Sequence, residues 1–180
     1  MKIAVIGWSG AGKSTLTRHL AGLYGIEPLH LDTVNFKPGW VERTREEKDG
    51  MIRAFLDTHD AWAIDGDYTR YSFDRRMEEA DAIVQLRFSP LSCLLRVCRR
   101  YRTWKGKSRP DMTEGCQEKL DWEFVKWVLW KGRGKKRAAP FDAAAARYPD
   151  KTVILKNQRQ LDAYLAHVDA GGHPGRFGKK

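Results

Sequence analysis

The chain has 180 residues, 42% of them hydrophobic and 31% charged, which is enough to bury one sizeable core. Its formal net charge of +10 calls for an anionic ligand or partner. No apolar run approaches the roughly 18 residues of a membrane span, so no membrane contact is expected. Three cysteines, Cys93, Cys98 and Cys116, with no Cys-x-x-Cys pair, argue for reduced thiols and against zinc.

The chain opens on Lys2–Ile6, a short apolar run that fits a buried parallel strand. A strand this close to the start leaves no room for a signal peptide, so a cytoplasmic location is expected. Gly7-Trp8-Ser9-Gly10-Ala11-Gly12-Lys13-Ser14 follows, a complete G-x-x-x-x-G-K-[ST] phosphate-binding loop, or Walker A motif. Its glycines let backbone N–H groups turn inward around a polyphosphate. Lys13 brings a mobile cation to the β- and γ-phosphates, and the Ser14 hydroxyl joins the shell of Mg²⁺. Gly7, Ser9, Gly10, Ala11, Gly12, Lys13, Ser14 and Thr15 are thus the expected contacts to ATP, with Mg²⁺ as its companion. Leu16, Leu20 and Leu23 then recur on one face of a helix over 13–24, whose positive end meets the phosphates.

Pro28–Leu31 reads as a second strand ending at Asp32. Residues 33–61 read as an insertion, with Thr44 and Glu47 as a capping box for a helix carrying Met51, Ile52, Phe55 and Leu56. Trp62–Ile64 is a third strand ending at Asp65-Gly66, and Ile83–Phe88 a fourth. Ser89-Pro90 is an N-cap and first-turn pair, opening a helix with an apolar set of Leu91, Leu94, Leu95, Cys98 and Tyr101. Thr152–Leu155 is the fifth strand, and Asn157 caps a last helix that turns Leu161, Tyr164, Leu165 and Val168 inward. The Gly/Pro/Lys-rich tail 171–180 is expected to be flexible. Alternating strands and helices predict an α/β fold, a parallel sheet covered on both faces, with ligands at the carboxyl ends of the strands. The expected organisation is one domain over 1–170, with an acceptor-side insertion at 33–61 and a basic lid at 102–137.

Two carboxylates stand at those strand ends. A magnesium nucleotide needs a carboxylate near Ser14, usually through water, and a kinase gains from one that accepts the acceptor's proton. Asp65 is the candidate for the metal and Asp32 for the acceptor, although either could exchange roles, and a strand-end aspartate can also merely turn the chain. Asp67, Tyr68 and Arg70, just after Asp65, are candidate acceptor contacts alongside Asp32. His30 reads as a packed or hydrogen-bonded residue.

The charge is concentrated. Residues 96–137 hold 14 Lys/Arg against 5 Asp/Glu, a net of +9, while the rest of the chain holds 19 against 18. Arg96, Arg99, Arg100 and Arg102 crowd one helix end, where cations are ordinary partners of the helix dipole. From such a place arginines also clamp a transferring phosphoryl group, and Arg99 and Arg100 are the candidates for this role. Arg109 is a second lid candidate. Residues 120–130, with Trp122, Trp127 and Trp130, are apolar on nearly every side, which points to core packing or a subunit contact, so an oligomer could form there. Lys131–Arg137 reads as a solvated basic turn.

Several runs resemble the bacterial DNA topology modulation protein family, a group of adenylate-kinase-like P-loop proteins. They are Gly7–Ser14, His30-Leu31-Asp32-Thr33, Trp62-Ala63-Ile64-Asp65-Gly66, Lys105-Gly106-Lys107-Ser108-Arg109-Pro110-Asp111-Met112 and Glu118-Lys119-Leu120-Asp121-Trp122-Glu123-Phe124. The resemblance implies a nucleoside-monophosphate-kinase-like fold with strand order 2-3-1-4-5, and ATP binding. It names no acceptor. Adenylate kinases carry Phe-Pro where this chain has Asp67-Tyr68-Thr69, and their usual lid sequence is missing.

Two function classes follow. One is an ATP-dependent kinase for a small acceptor, supported by the loop, the two aspartates, the insertion and the arginines. The other is a nucleic-acid-binding protein regulated by nucleotide, supported by the basic segment with its interleaved aromatics. A small G protein lacks support, since no Asn-Lys-x-Asp is present.

Overall fold

A computed structural model describes residues 1–178. Lys2–Gly7 (β1) runs into the loop and then into Lys13–Tyr24 (α1). Glu27–His30 (β2) leads directly into a short helix, Leu31–Asn35 (α2). Phe36–Lys37 (β3) and Val41–Glu42 (β4) pair as a small antiparallel hairpin, followed by Arg45–Thr58 (α3). Then come Trp62–Asp65 (β5), Phe73–Glu79 (α4), Ala82–Leu86 (β6) and Pro90–Trp104 (α5). Trp122–Leu129 (α6) and Lys135–Arg147 (α7) precede Thr152–Leu155 (β7) and Gln158–Asp169 (α8).

Five strands make one parallel sheet in the order β2-β5-β1-β6-β7. The expected 2-3-1-4-5 counted five strands only; the β3-β4 hairpin inside the insertion was not anticipated and renumbers those that follow. Register places Val5, Asp65 and His30 in one row across three neighbouring strands. Asp65 therefore stands beside the point where β1 enters the phosphate loop.

Alternation along β1 splits the core in two. Ile3 and Val5 join a cluster with Leu16, Leu20, Cys93, Val97, Val128 and Tyr164 on one face. Ala4 and Ile6 join Leu31, Ile52, Leu56, Phe73, Met77 and Phe141 on the other. Each fully buried large apolar side chain contributes about 1.5–3 kcal/mol, so both faces are needed to hold the sheet.

The anticipated caps form. Thr44 Oγ1 accepts from Glu47 N at 3.2 Å and Glu47 Oε2 accepts from Thr44 N at 2.8 Å. Ser89 Oγ accepts from Ser92 N at 3.2 Å, and Asn157 Oδ1 from Gln160 N at 2.9 Å.

Four expectations need correction. In α5, Leu91 and Leu95 are exposed, at 70% and 64%, while Cys93 and Val97 are buried. The helix is phased by Cys93 and Val97 packing on the sheet and by Arg96 and Arg100 turning toward the loop, which leaves the two leucines outside. Asp32 does not end a strand but sits in the first turn of α2. The stretch Lys131–Arg137 is not a free turn: it closes one helical turn at Lys131–Arg133 and then starts α7. The tail also packs through residue 177, with the Phe177 ring edge-on to Tyr164 at 5.6 Å. Residues 179–180 of the expected flexible tail lie outside the described residues.

Among the described residues no helix is long and apolar enough to cross a membrane.

Candidate active site

The loop depends on close backbone approach. A Cβ on Gly7, at φ 142°, would stand 2.3 Å from the Leu86 carbonyl oxygen of β6. One on Gly10, at φ 78°, would stand 2.7 Å from Val97 Cγ2 and 2.8 Å from the Cys93 carbonyl oxygen of α5. The loop is thus wedged between β6 and α5, and only glycine fits both the space and the positive φ. Lys13 folds back along it: Nζ donates to the carbonyls of Gly7 at 2.9 Å and Trp8 at 3.3 Å, and lies 3.6 Å from Asp67 Oδ1.

A cavity of about 980 Å³ opens in front of the loop. Ser9, Gly10, Gly12, Lys13, Ser14 and Thr15 of the loop line it together with Asp32, Asp67, Tyr68 and Arg70. Gly7 and Ala11, the remaining expected loop contacts, lie behind this lining. The acceptor-side group is joined internally. Tyr68 donates its hydroxyl to Asp32 Oδ1 at 2.7 Å. Burial pushes the Asp32 carboxyl above the usual carboxylate range, although Lys13 and the Tyr68 hydroxyl pull it part of the way back. Burial and the Asp32 charge push the Tyr68 phenol far up, so it stays a donor at any working pH.

The loop that carries Asp67 and Tyr68 hangs on Arg76. This arginine is fully buried and donates to the Tyr68 carbonyl at 2.8 Å and to the Gly66 carbonyl at 3.4 Å. Burial lowers its pKa to about 10, against the pull of Asp67 and Asp65, so it remains charged at neutral pH.

Asp65 takes a different place from the one expected. It is 2% exposed, does not line the cavity, and its Oδ2 lies 2.5 Å from His30 Nδ1. Burial disfavours the charged imidazole, but the hydrogen bond and charge of Asp65, helped by Asp111, outweigh it and raise the His30 pKa. Adjacent strands in register force the pair: both residues end their strands side by side. Other oxygen groups do face the cavity, among them the Ser14 hydroxyl, Asp32 and Asp67. This all-oxygen set suits magnesium, which keeps several waters and takes few protein ligands when it arrives on a nucleotide.

The basic segment turns much of its charge inward. Arg96 donates to the Ala11 carbonyl at 3.2 Å and bonds to Gln158. Arg100 is paired with Glu118 Oε1 at 2.6 Å. Arg109 is paired with Glu118 Oε2 at 2.8 Å and with Asp111 Oδ2 at 2.7 Å. Arg96, Arg100 and Arg109 all line the cavity, whereas Arg99 is exposed and does not. The reason is helical spacing: positions 96 and 100 share a face, and 99 is turned off it. Of that pair, only Arg100 lines the cavity.

Glu118 and Asp111 belong to two of the sequence runs quoted above, and their role is now visible: they hold two arginines at the wall. The same stretch closes on the insertion. Trp40 Nε1 donates to the Gln117 carbonyl at 3.0 Å, and Thr113 Oγ1 to the Phe36 carbonyl at 2.7 Å.

Sequence reasoning missed several lining residues. Trp127 donates its indole N–H to Ser9 Oγ at 3.2 Å and carries Arg137 over its ring at 4.2 Å. Phe36, Tyr71, Lys136, Arg137 and Phe141 also line the cavity, as do Asn35 and Trp40, which the insertion was expected to offer. On an all-round apolar helix no periodicity singles out Trp127. Trp122 and Trp130 of that helix are exposed, at 63% and 62%.

No protein-family model and no curated protein matches this chain. Solved structures do resemble it. A shikimate kinase from Bacteroides thetaiotaomicron superposes with TM-score 0.55 at 20% identity, covering 94% of this chain and 97% of that one. A shikimate kinase from Acinetobacter baumannii in complex with shikimate gives 0.54 at 20%, covering 94% and 93%. A gluconokinase from Sinorhizobium meliloti 1021 gives 0.50 at 19%, covering 94% of each. The fold of this chain is that of the P-loop kinases.

Proposed function

We propose that the protein is a kinase that transfers the γ-phosphoryl group of MgATP to a hydroxyl of a small acceptor. The observation that carries this reading is the meeting, in one cavity, of the phosphate loop and the Asp32–Tyr68 pair. The loop's N–H groups and Lys13 hold the β- and γ-phosphates; on nucleotide binding Lys13 exchanges its loop carbonyls for them. Ser14, with Asp67 through water, would hold the magnesium, which would supply charge neutralisation for the phosphates. Asp32 accepts the acceptor's proton as the oxygen–phosphorus bond forms and the bond to the β-phosphate oxygen breaks, leaving ADP. Tyr68 fixes the Asp32 carboxylate. Arg100 and Arg109, held by Glu118, stabilise the charge that spreads over the transferring group.

Asp65 serves this site by position: paired with His30, it anchors the start of α2, which carries Asp32. The likeness to the DNA topology modulation family remains a matter of the sequence runs quoted, and fits this reading where Arg109, Asp111 and Glu118 line or support the cavity. A nucleic-acid role loses weight because Arg96, Arg100, Arg109, Lys136 and Arg137 face the cavity.

A coupled ADP-release screen across nucleosides, sugars, sugar phosphates and hydroxy acids tests the reading. Acceptor-dependent ADP release that disappears in Lys13→Ala supports it; release indifferent to every acceptor counts against it.

A further inference from the structure

Arg70, Lys136 and Arg137 all line the cavity, and none has a carboxylate partner among the described residues. The other cavity cations are engaged: Lys13 by Asp67, Arg96 by the Ala11 carbonyl, Arg100 and Arg109 by Glu118 and Asp111. Of the two further lining carboxylates, Asp32 accepts from Tyr68, and Glu42, 65% exposed, is paired with Lys48 at 3.1 Å.

These three cations come from two elements of the cavity wall, and Arg137 also lies over the Trp127 ring at 4.2 Å. Arg70 follows Tyr68 in the loop after β5. Lys136 and Arg137 lie in the first turn of α7, which has no acidic residue and no side-chain cap. Phe141 anchors α7 in the same apolar cluster that Tyr68 and Tyr71 pack against. Cations that line one cavity without a carboxylate partner favour an anionic ligand there.

A second observation points to the same place. Asn35 is 5% exposed and lines the cavity, and its side-chain amide makes no hydrogen bond among the described residues. The amide is thus open to a partner supplied from the cavity. An amide both donates and accepts, which suits a hydroxyl.

We propose, on the basis of the kinase reading above, that the acceptor is an anionic alcohol. Its own carboxylate or phosphate seats among Arg70, Lys136 and Arg137. One hydroxyl meets Asn35, and the hydroxyl to be phosphorylated faces Asp32. The transfer balances as alcohol plus ATP giving phosphate ester, ADP and a proton, the proton passing through the Asp32 carboxylate.

The test uses the whole protein loaded with magnesium and a non-hydrolysable ATP analogue whose γ-phosphate fills the loop. Matched pairs are titrated by calorimetry: gluconate against sorbitol for a carboxylate, glucose 6-phosphate against glucose for a phosphate, with inorganic sulfate as a plain anion. At least one anion binds, and the anionic member of its pair binds more tightly than the neutral one by roughly tenfold or more. Arg70→Gln and Arg137→Gln each remove roughly that factor and leave affinity for the ATP analogue unchanged. Lys135→Gln, which loses the same charge in the same turn outside the cavity, leaves anion binding alone. The proposal is overturned if no anion binds, if neutral members bind equally well, or if the two variants weaken the analogue instead. Anion binding without acceptor-dependent ADP release would defeat the kinase reading and leave the seat standing; turnover of neutral acceptors only would do the reverse.

Discussion

Tyr68 donates its hydroxyl to Asp32 at the cavity wall at 2.7 Å, joining the loop after β5 to the first turn of α2. Burial raises the Asp32 pKa, while this bond and Lys13 oppose the rise. Only the ionised carboxylate can take a proton, so turnover should climb with pH through an Asp32 pKa above the ordinary carboxylate value. In Tyr68→Phe the opposing hydrogen bond is gone, and the acid limb of the pH–rate profile should move to higher pH. Asp32→Asn should lower kcat by about 10²–10⁴-fold with little change in ATP affinity. An unmoved acid limb in Tyr68→Phe would show that Asp32 is not the base.

Glu118 should matter through the arginines it holds. Glu118→Gln keeps the shape but leaves Arg100 and Arg109 facing each other with one carboxylate, Asp111, between them. We expect kcat to fall by roughly tenfold to a hundredfold, with the KM for ATP changing far less, since the loop is untouched. Steady-state kinetics with a turned-over acceptor separates the two. A rise in KM alone would place Glu118 in simple binding or folding.

His30 and Asp65 set a pH dependence of stability. The folded His30 pKa is raised, so its stabilising contribution is complete below the ordinary histidine value of about 6.5 and is lost as pH rises through the folded value. Urea unfolding midpoints should therefore decline over that window in the wild type. In His30→Gln this component of the slope should be absent. An equal slope in both proteins would show that the pair does not titrate as described.

The phase of α5 gives a stability contrast. Leu95→Ala removes an exposed side chain and should stay within about 0.5 kcal/mol of the wild type. Val97→Ala empties a fully buried position of the same helix and should cost roughly 1.5–3 kcal/mol. Comparable losses at both positions, measured by denaturant unfolding, would contradict the orientation of the helix.

What the residues disclose in advance depends on how local the physics is. The phosphate loop, its strand and its helix are legible because steric rules at Gly7, Gly10 and Gly12 act over a few positions. The caps at Thr44, Ser89 and Asn157 are local too, and they hold. The phase of α5 was hidden, because the leucine spacing at 91 and 95 is answered by distant demands on Arg96 and Arg100. Helix α7 was hidden as well: its alanine run has no apolar period, and Pro140 reads as a breaker. The Glu118 links to Arg100 and Arg109 cross a segment with little regular structure, so no spacing rule reaches them. Asp65 was recognisable as a strand-end carboxylate, but its capture by His30 depends on strand register.

The most direct measurement follows the phosphorus. ATP labelled at the γ-phosphate is incubated with the protein and a panel of hydroxylated small molecules, and labelled products are separated from ATP and inorganic phosphate. The account predicts acceptor-dependent label in a small phosphate ester, abolished in Lys13→Ala and reduced by about 10²-fold or more in Asp32→Asn. Label found only in inorganic phosphate, released at a rate that duplex DNA raises and no small molecule changes, would contradict it.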